Sequence, residues 1–226
     1  VKRKVYIVEP NSTVVNMFKT AGWETVREYN PDVHLACFTG GEDISPYLYG
    51  EKVLAGAGVF TNFKRDLSEV RAYKELPRSV PKVGICRGAQ LMNVLCGGRM
   101  WQHVTGHGNY HEMLDNISGQ IIEVSSVHHQ MMIPAADAQI LGVANESDSK
   151  ENQYELWKRE TADEEANDIE ELMYDHDNAF CAQYHPEFGP KPCRDHFFDR
   201  LELLFARDWK RIDERANNKP EEVHCG

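Results

Sequence analysis

Residues 82–85 read K-V-G-I and residues 84–93 read G-I-C-R-G-A-Q-L-M-N, so a short apolar strand runs straight into a helix with a cysteine at the seam. Pro81 precedes the strand, and Leu91, Met92 and Leu95 recur at helical spacing across residues 88–96. A turn this tight holds its apical side chain outward under backbone strain and demands small neighbours, which Gly84 and Gly88 provide. Similar alternation runs upstream. Residues 5–8 read as a buried strand, 12–20 as a helix capped by Asn11 or Ser12, 35–38 as a strand, and 66–76 as a helix stopped by Pro77. This order predicts an α/β fold with a mostly parallel central sheet, helices on both faces, and a ligand crevice at the carboxyl ends of the strands. The second half is richer in strands, at 121–124, 140–144, 154–157 and 180–184, before a closing helix from about residue 194 to 216. With 226 residues and 41% hydrophobic side chains the chain can bury one core, so residues 1–217 read as a single catalytic domain and 218–226 as a mobile tail.

The cysteine at the seam, Cys86, faces a helix start whose unpaired N–H groups and positive dipole end favour a thiolate. A buried structural cysteine is the alternative for a lone G-x-C-x-G. About a hundred residues later the chain reads Q-Y-H-P-E, and on an extended segment His185 and Glu187 point to the same side, stiffened by Pro186. A thiol, a base and a carboxylate to orient the base imply acyl transfer through Cys86, His185 and Glu187. Attack on an amide creates an oxyanion that backbone N–H groups must meet. The N–H of Arg87 is one natural donor, and a glycine loop such as T-G-G at 39–41 can offer a second.

Five ordered motifs carry a resemblance. G-I-C-R-G-A-Q-L-M-N with Q-Y-H-P-E resembles the class I glutamine amidotransferases, and looks closest to their γ-glutamyl hydrolase branch, which includes the γ-glutamyl-γ-aminobutyrate hydrolases. Residues 39–50, T-G-G-E-D-I-S-P-Y-L-Y-G, are similar to that branch's P-G-G-x-D-[IV]-x-P-x-L-Y-G loop, and 125–130, S-S-V-H-H-Q, to its N-S-x-H-H-Q. Arg65, Asp66 and Glu69 match its R-D-x-x-E. Thr39 stands where the branch has proline, and Ser125 where it has asparagine. The resemblance implies a flavodoxin-like three-layer sandwich, Gly41 as the second oxyanion donor, and a γ-glutamyl pocket formed by Gly40, Gln90, Ser126, His128 and His129. It also implies hydrolysis of γ-glutamyl amide bonds through a thioester, with no cofactor. Two alternatives stay open: a subunit that delivers ammonia from glutamine to a separate ligase or synthetase, since the chain has no P-loop, and a catalytically silent binding protein on the same fold.

Composition narrows the partners. A net charge of −11 disfavours nucleic acid, and no apolar run is long enough to span a membrane. The N-terminus shows no charged-then-apolar signal pattern, and the six cysteines have no C-x-x-C pair. A reactive thiol suits a reducing compartment, so a cytoplasmic location is expected. His103, His107 and His111 recur every four residues, a ligand spacing on a helix, but Gly106 and Gly108 break any helix there. That segment therefore reads as a loop over the active site, with no metal. The acidic run at 160–177 reads as a solvated loop and hairpin.

Overall fold

The computed structural model describes residues 2–144, 150–151 and 168–217. The first half contains β1 (Lys4–Val8), α1 (Ser12–Thr20), β2 (Glu24–Val26), β3 (Leu35–Phe38), α2 (Phe63–Glu75), β4 (Lys82–Ile85) and α3 (Arg87–Leu95). There follow β5 (Arg99–Trp101), β6 (His103–Val104), β7 (His111–Asp115), β8 (Ile121–Val124), β9 (Met131–Ile133) and β10 (Gln139–Ala144). The chain ends in β11 (Lys150–Glu151), β12 (Asp168–Tyr174), β13 (Ala179–Ala182) and α4 (Lys191–Asn217). Nine strands form one sheet in the order β2-β1-β3-β4-β13-β12-β10-β7-β8. Strands β2, β1, β3, β4 and β13 are mutually parallel, and every pairing beyond β13 is antiparallel. The α/β class expected from the sequence is present, with a sheet that begins parallel and finishes antiparallel.

Helices cover both faces of the parallel part, which is why β3, β4 and β13 are buried at every residue. One face packs on α1 and α4 through Phe18, Trp23, Phe197, Phe205 and Trp209. The other packs on α2 and α3 through Phe38, Tyr73, Leu91 and Met92. Asn11 caps α1, its Oδ1 accepting from Val14 N at 2.9 Å. Helix α2 starts earlier than its apolar spacing suggests, because Asn62 Oδ1 accepts from Arg65 N and opens it there. Among the described residues no helix is long and apolar enough to cross a membrane.

Two expectations need correction. The end of the acidic run is the strand β12, buried at all seven residues. Glu171 tolerates burial there because it is fully partnered, accepting from Arg200 Nε at 3.0 Å, Tyr184 Oη at 2.7 Å and His196 Nε2 at 2.8 Å. The segment holding His103 and His111 is not wholly a loop, since β6 and β7 pair with neighbouring strands. The sheet also takes in β2 and β7, which are too short or too polar to stand out in the sequence. The strand expected at 154–157 and the tail at 218–226 lie outside the described residues.

Arg200 is buried between Glu171 and Asp115, donating to the latter at 2.5 Å. Arg200→Met is expected to lower the unfolding free energy by about 3–5 kcal/mol, because two buried carboxylates lose their cation. Urea denaturation measures this. A loss below about 1 kcal/mol, the range of a surface pair, would contradict it.

Candidate active site

Strand β4 ends at Ile85 and α3 begins at Arg87, so Cys86 alone makes the turn. Its backbone sits at φ 49° and ψ −109°, a conformation that L residues with a side chain rarely adopt. Such strain costs on the order of 1–3 kcal/mol and persists only where the surroundings enforce it. Two hydrogen bonds do so: Cys86 N donates to Ala182 O at 2.8 Å, and Cys86 O accepts from Gln90 N at 3.0 Å. The flanking glycines are steric necessities. A Cβ on Gly84 would strike the backbone of Gly88 and Ala89, and one on Gly88 would strike the backbone of Phe38 in β3.

Strand β13 pairs in parallel with β4, Ala182 opposite Ile85, so the chain leaving β13 emerges level with Cys86. His185 thereby comes to lie beside the Cys86 sulfur, which acts on its ring electrostatically. Its Nδ1 lies 2.9 Å from Glu187 Oε1, which leaves Nε2 for the sulfur. Burial acts to lower the His185 pKa, yet the Cys86 sulfur beside it and the Glu187 carboxylate push it up to about 10. Ser125 fixes the base from behind: its Oγ donates to His185 O at 2.5 Å and accepts from His185 N at 3.1 Å. Phe188 lies against the ring, centroids 5.4 Å apart.

The glycine loop after β3 closes over this pair. A Cβ on Gly40 would come within 2.7 Å of His185 Cε1, so only glycine lets the loop approach so closely. Gly41 has φ 154°, and the space a side chain would need there is filled by the Arg65 guanidinium. Arg65 holds the loop by its carbonyl side, donating to Gly40 O at 2.9 Å and Thr39 O at 3.3 Å. It also donates to Glu42 at 2.8 Å and to Glu69 at 3.0 Å. The fully buried side chain of Arg87 donates to Glu69 as well, and to Asp66 at 2.5 Å. Glu69 thus ties the arginine that grips the glycine loop to the arginine that follows the cysteine.

A chain of amides leads away from the sulfur. Gln183 Nε2 lies 3.9 Å from Cys86 Sγ, and Gln90 Nε2 donates to Gln183 Oε1 at 3.4 Å and to Gln130 O at 3.2 Å. Gln130 Oε1 is buried with no hydrogen-bond partner among the described residues. Beside it His128 Nδ1 is 3.0 Å from Gln130 O. Burial, reinforced by neighbouring His107, holds the His128 pKa well below the ordinary histidine value. His129 is turned to Asp43 at 3.0 Å, and that hydrogen bond raises its pKa. Ser126 Oγ donates to His107 O at 3.0 Å. Of the residues singled out in the sequence, Cys86, His185, Gly40, Gly41, Arg87 and Gln90 converge, with Glu187 behind the base and His128 adjoining. His129 and Ser126 are engaged with other side chains. Gln183 and Gln130 were quoted within motifs without a role, and spacing alone gave them none.

Comparison with known proteins identifies relatives in sequence and in fold. The chain is 43% identical over 83 residues to the glutamine amidotransferase-like protein YvdE homolog of Lactococcus lactis subsp. cremoris, covering 36% of this chain and 44% of that protein. It is 31% identical over 191 residues to the YvdE protein of Lactococcus lactis subsp. lactis, covering 81% of this chain and 77% of that one. The chain thus spans less than half of the first relative and about three quarters of the second. Among solved structures, a glutamine amidotransferase from Thermotoga maritima superposes with a TM-score of 0.57 at 14% identity, covering 94% of this chain and 93% of that one. At that identity the likeness establishes the fold. The sequence pattern of the peptidase C26 family matches residues 5–187, and the chain belongs to that family.

Proposed function

We propose that the protein hydrolyses γ-glutamyl amide bonds through a thioester on Cys86. The observation that carries this is the strained Cys86 beside a His185 that Glu187 orients, beneath a glycine loop held by Arg65. The Cys86 thiolate attacks the amide carbon, and the carbonyl oxygen becomes an oxyanion received by the N–H groups of Gly41 and Arg87. Collapse of that intermediate breaks the C–N bond, and the leaving amine takes the proton from His185. Water then gives a proton to His185 and attacks the thioester. Collapse of this second intermediate breaks the C–S bond and expels the Cys86 thiolate beside the His185 that has just been protonated; glutamate departs after its new carboxyl group loses a proton to solvent. The γ-glutamyl group extends along Gln183, Gln90 and Gln130. There the buried acceptor Gln130 Oε1 suits an α-ammonium, with His128 at the same end.

The names of the relatives favour a second reading, a glutaminase subunit that passes ammonia to a separate synthetase. Glutamate release by the purified chain, from glutamine and from a panel of γ-glutamyl amines, separates the two. A freestanding hydrolase should turn over the amines at about one per second or faster. Activity that is low alone and rises on binding a synthetase would indicate ammonia delivery, because such coupling requires a second site. A chain inert towards the panel and towards covalent glutamine analogues would be a binding protein.

A further inference from the structure

Away from Cys86, His107, His111 and Glu170 come from three separate stretches of chain and converge on one buried point. Their donor atoms all lie within 4.8 Å of one another. His107 belongs to the connection after β6, His111 opens β7, and Glu170 lies in β12. Their side chains are 0%, 1% and 0% exposed. Glu170 Oε1 is 3.1 Å from His111 Nε2 and 3.9 Å from His107 Nδ1. Two ligands bonded at about 2.1 Å to a tetrahedral ion stand about 3.4 Å apart, so these separations bracket what a common ion requires. A histidine–carboxylate hydrogen bond would explain one of these contacts. It leaves Glu170 Oε2, buried and without a hydrogen-bond partner among the described residues, unexplained.

The other nitrogen of His107 supplies a further sign. His107 Nε2 is hydrogen-bonded to the Asp168 carboxylate. A carboxylate on the far side of a ligating imidazole fixes its tautomer and raises its basicity, which is how metal-binding histidines are commonly held. We propose that His107 Nδ1, His111 Nε2 and Glu170 bind a divalent transition metal ion, with Asp168 orienting His107. Two imidazoles and one carboxylate form a donor set that suits Zn²⁺. The sequence hid this site because its carboxylate comes from a strand far along the chain. The ion would join β7 to β12 and fix His107, against which His128 stacks at 4.6 Å and to which Ser126 is bonded. Its role would be to set the 125–130 segment in place, apart from the thiol chemistry.

The test uses the whole chain, untagged and purified without chelators, with elemental analysis and Co²⁺ substitution. About one equivalent of zinc is expected, with the ligand-field absorption of four-coordinate Co²⁺ and a melting temperature that rises when Zn²⁺ is restored to stripped protein. Glu170→Gln keeps the side-chain shape and should weaken Zn²⁺ binding at least tenfold, as should His111→Asn. Should either variant fail to fold, the wild-type cobalt spectrum and zinc-dependent melting still decide. Substoichiometric zinc with unchanged melting would overturn the proposal. So would binding that survives Glu170→Gln but is lost in Cys96→Ser, which would place the ion at the Cys96, His176 and Asp177 group.

Discussion

Cys86→Ser is expected to abolish hydrolysis of γ-glutamyl amides while leaving the fold intact. The serine hydroxyl would occupy the same strained turn, and Gly84 and Gly88 would still accommodate it. Its pKa lies far above that of a thiol, so a histidine stabilised as imidazolium cannot hold it ionised. The loss should amount to a fall of about a thousandfold or more in kcat, the scale on which removal of a catalytic triad member is felt. Steady-state assay with circular dichroism as the folding control would check it. Near wild-type turnover would remove Cys86 from the chemistry.

The second large effect is expected from a residue that touches no reacting atom. Arg65 grips the carbonyls of Thr39 and Gly40 and fills the space beside Gly41, so it decides which way the Gly41 N–H points. Arg65→Met removes that hold, and the loop loses the preorganisation that makes an oxyanion donor effective. A fall of about a hundred- to a thousandfold in kcat follows, with KM little changed, because the donor acts on charge that exists only in the transition state. Arg65→Lys should recover part of the rate, since an ammonium can reach one carbonyl but cannot reproduce the fork that also engages Glu42 and Glu69. Equal changes in kcat and KM across both variants would instead point to substrate binding.

The parallel half of the fold was legible because its strands are covered on both faces and read as unbroken apolar runs, as in 35–38 and 82–85. The antiparallel half was harder. Strand β12 contains Asp168, Glu170 and Glu171, which look like surface residues until Arg200, His196 and His111 are brought to them from elsewhere in the chain. The nucleophile, base and orienting carboxylate could be proposed from two local segments, since each announces itself by short-range geometry: a strand–helix seam, and alternate residues on an extended stretch. The groups that position them could not. Arg65 reaches Gly40 across a fold-dependent gap, and Gln183 and Gln130 acquire meaning only when β13 and the 125–130 segment meet at α3. His129 has a partner that its motif did not reveal. The motif resemblance implies a place in the γ-glutamyl pocket, and a hydrogen bond with Asp43 holds its ring.

Selective labelling tests the central claim most directly. The four other cysteines among the described residues are held as thiols by burial. Cys96 and Cys193 are pushed up to about 12, and Cys37 and Cys181 lie well above the ordinary thiol value. Cys86 alone among them lies beside His185, whose pKa the Cys86 sulfur and the Glu187 carboxylate raise. Limited reaction with a glutamine-like electrophile, followed by intact-mass analysis and peptide mapping, should therefore give one adduct on Cys86, in step with loss of glutamate release. The adduct should not form in Cys86→Ser. First modification of Cys96 or Cys181, or full activity in protein already labelled at Cys86, would contradict the account.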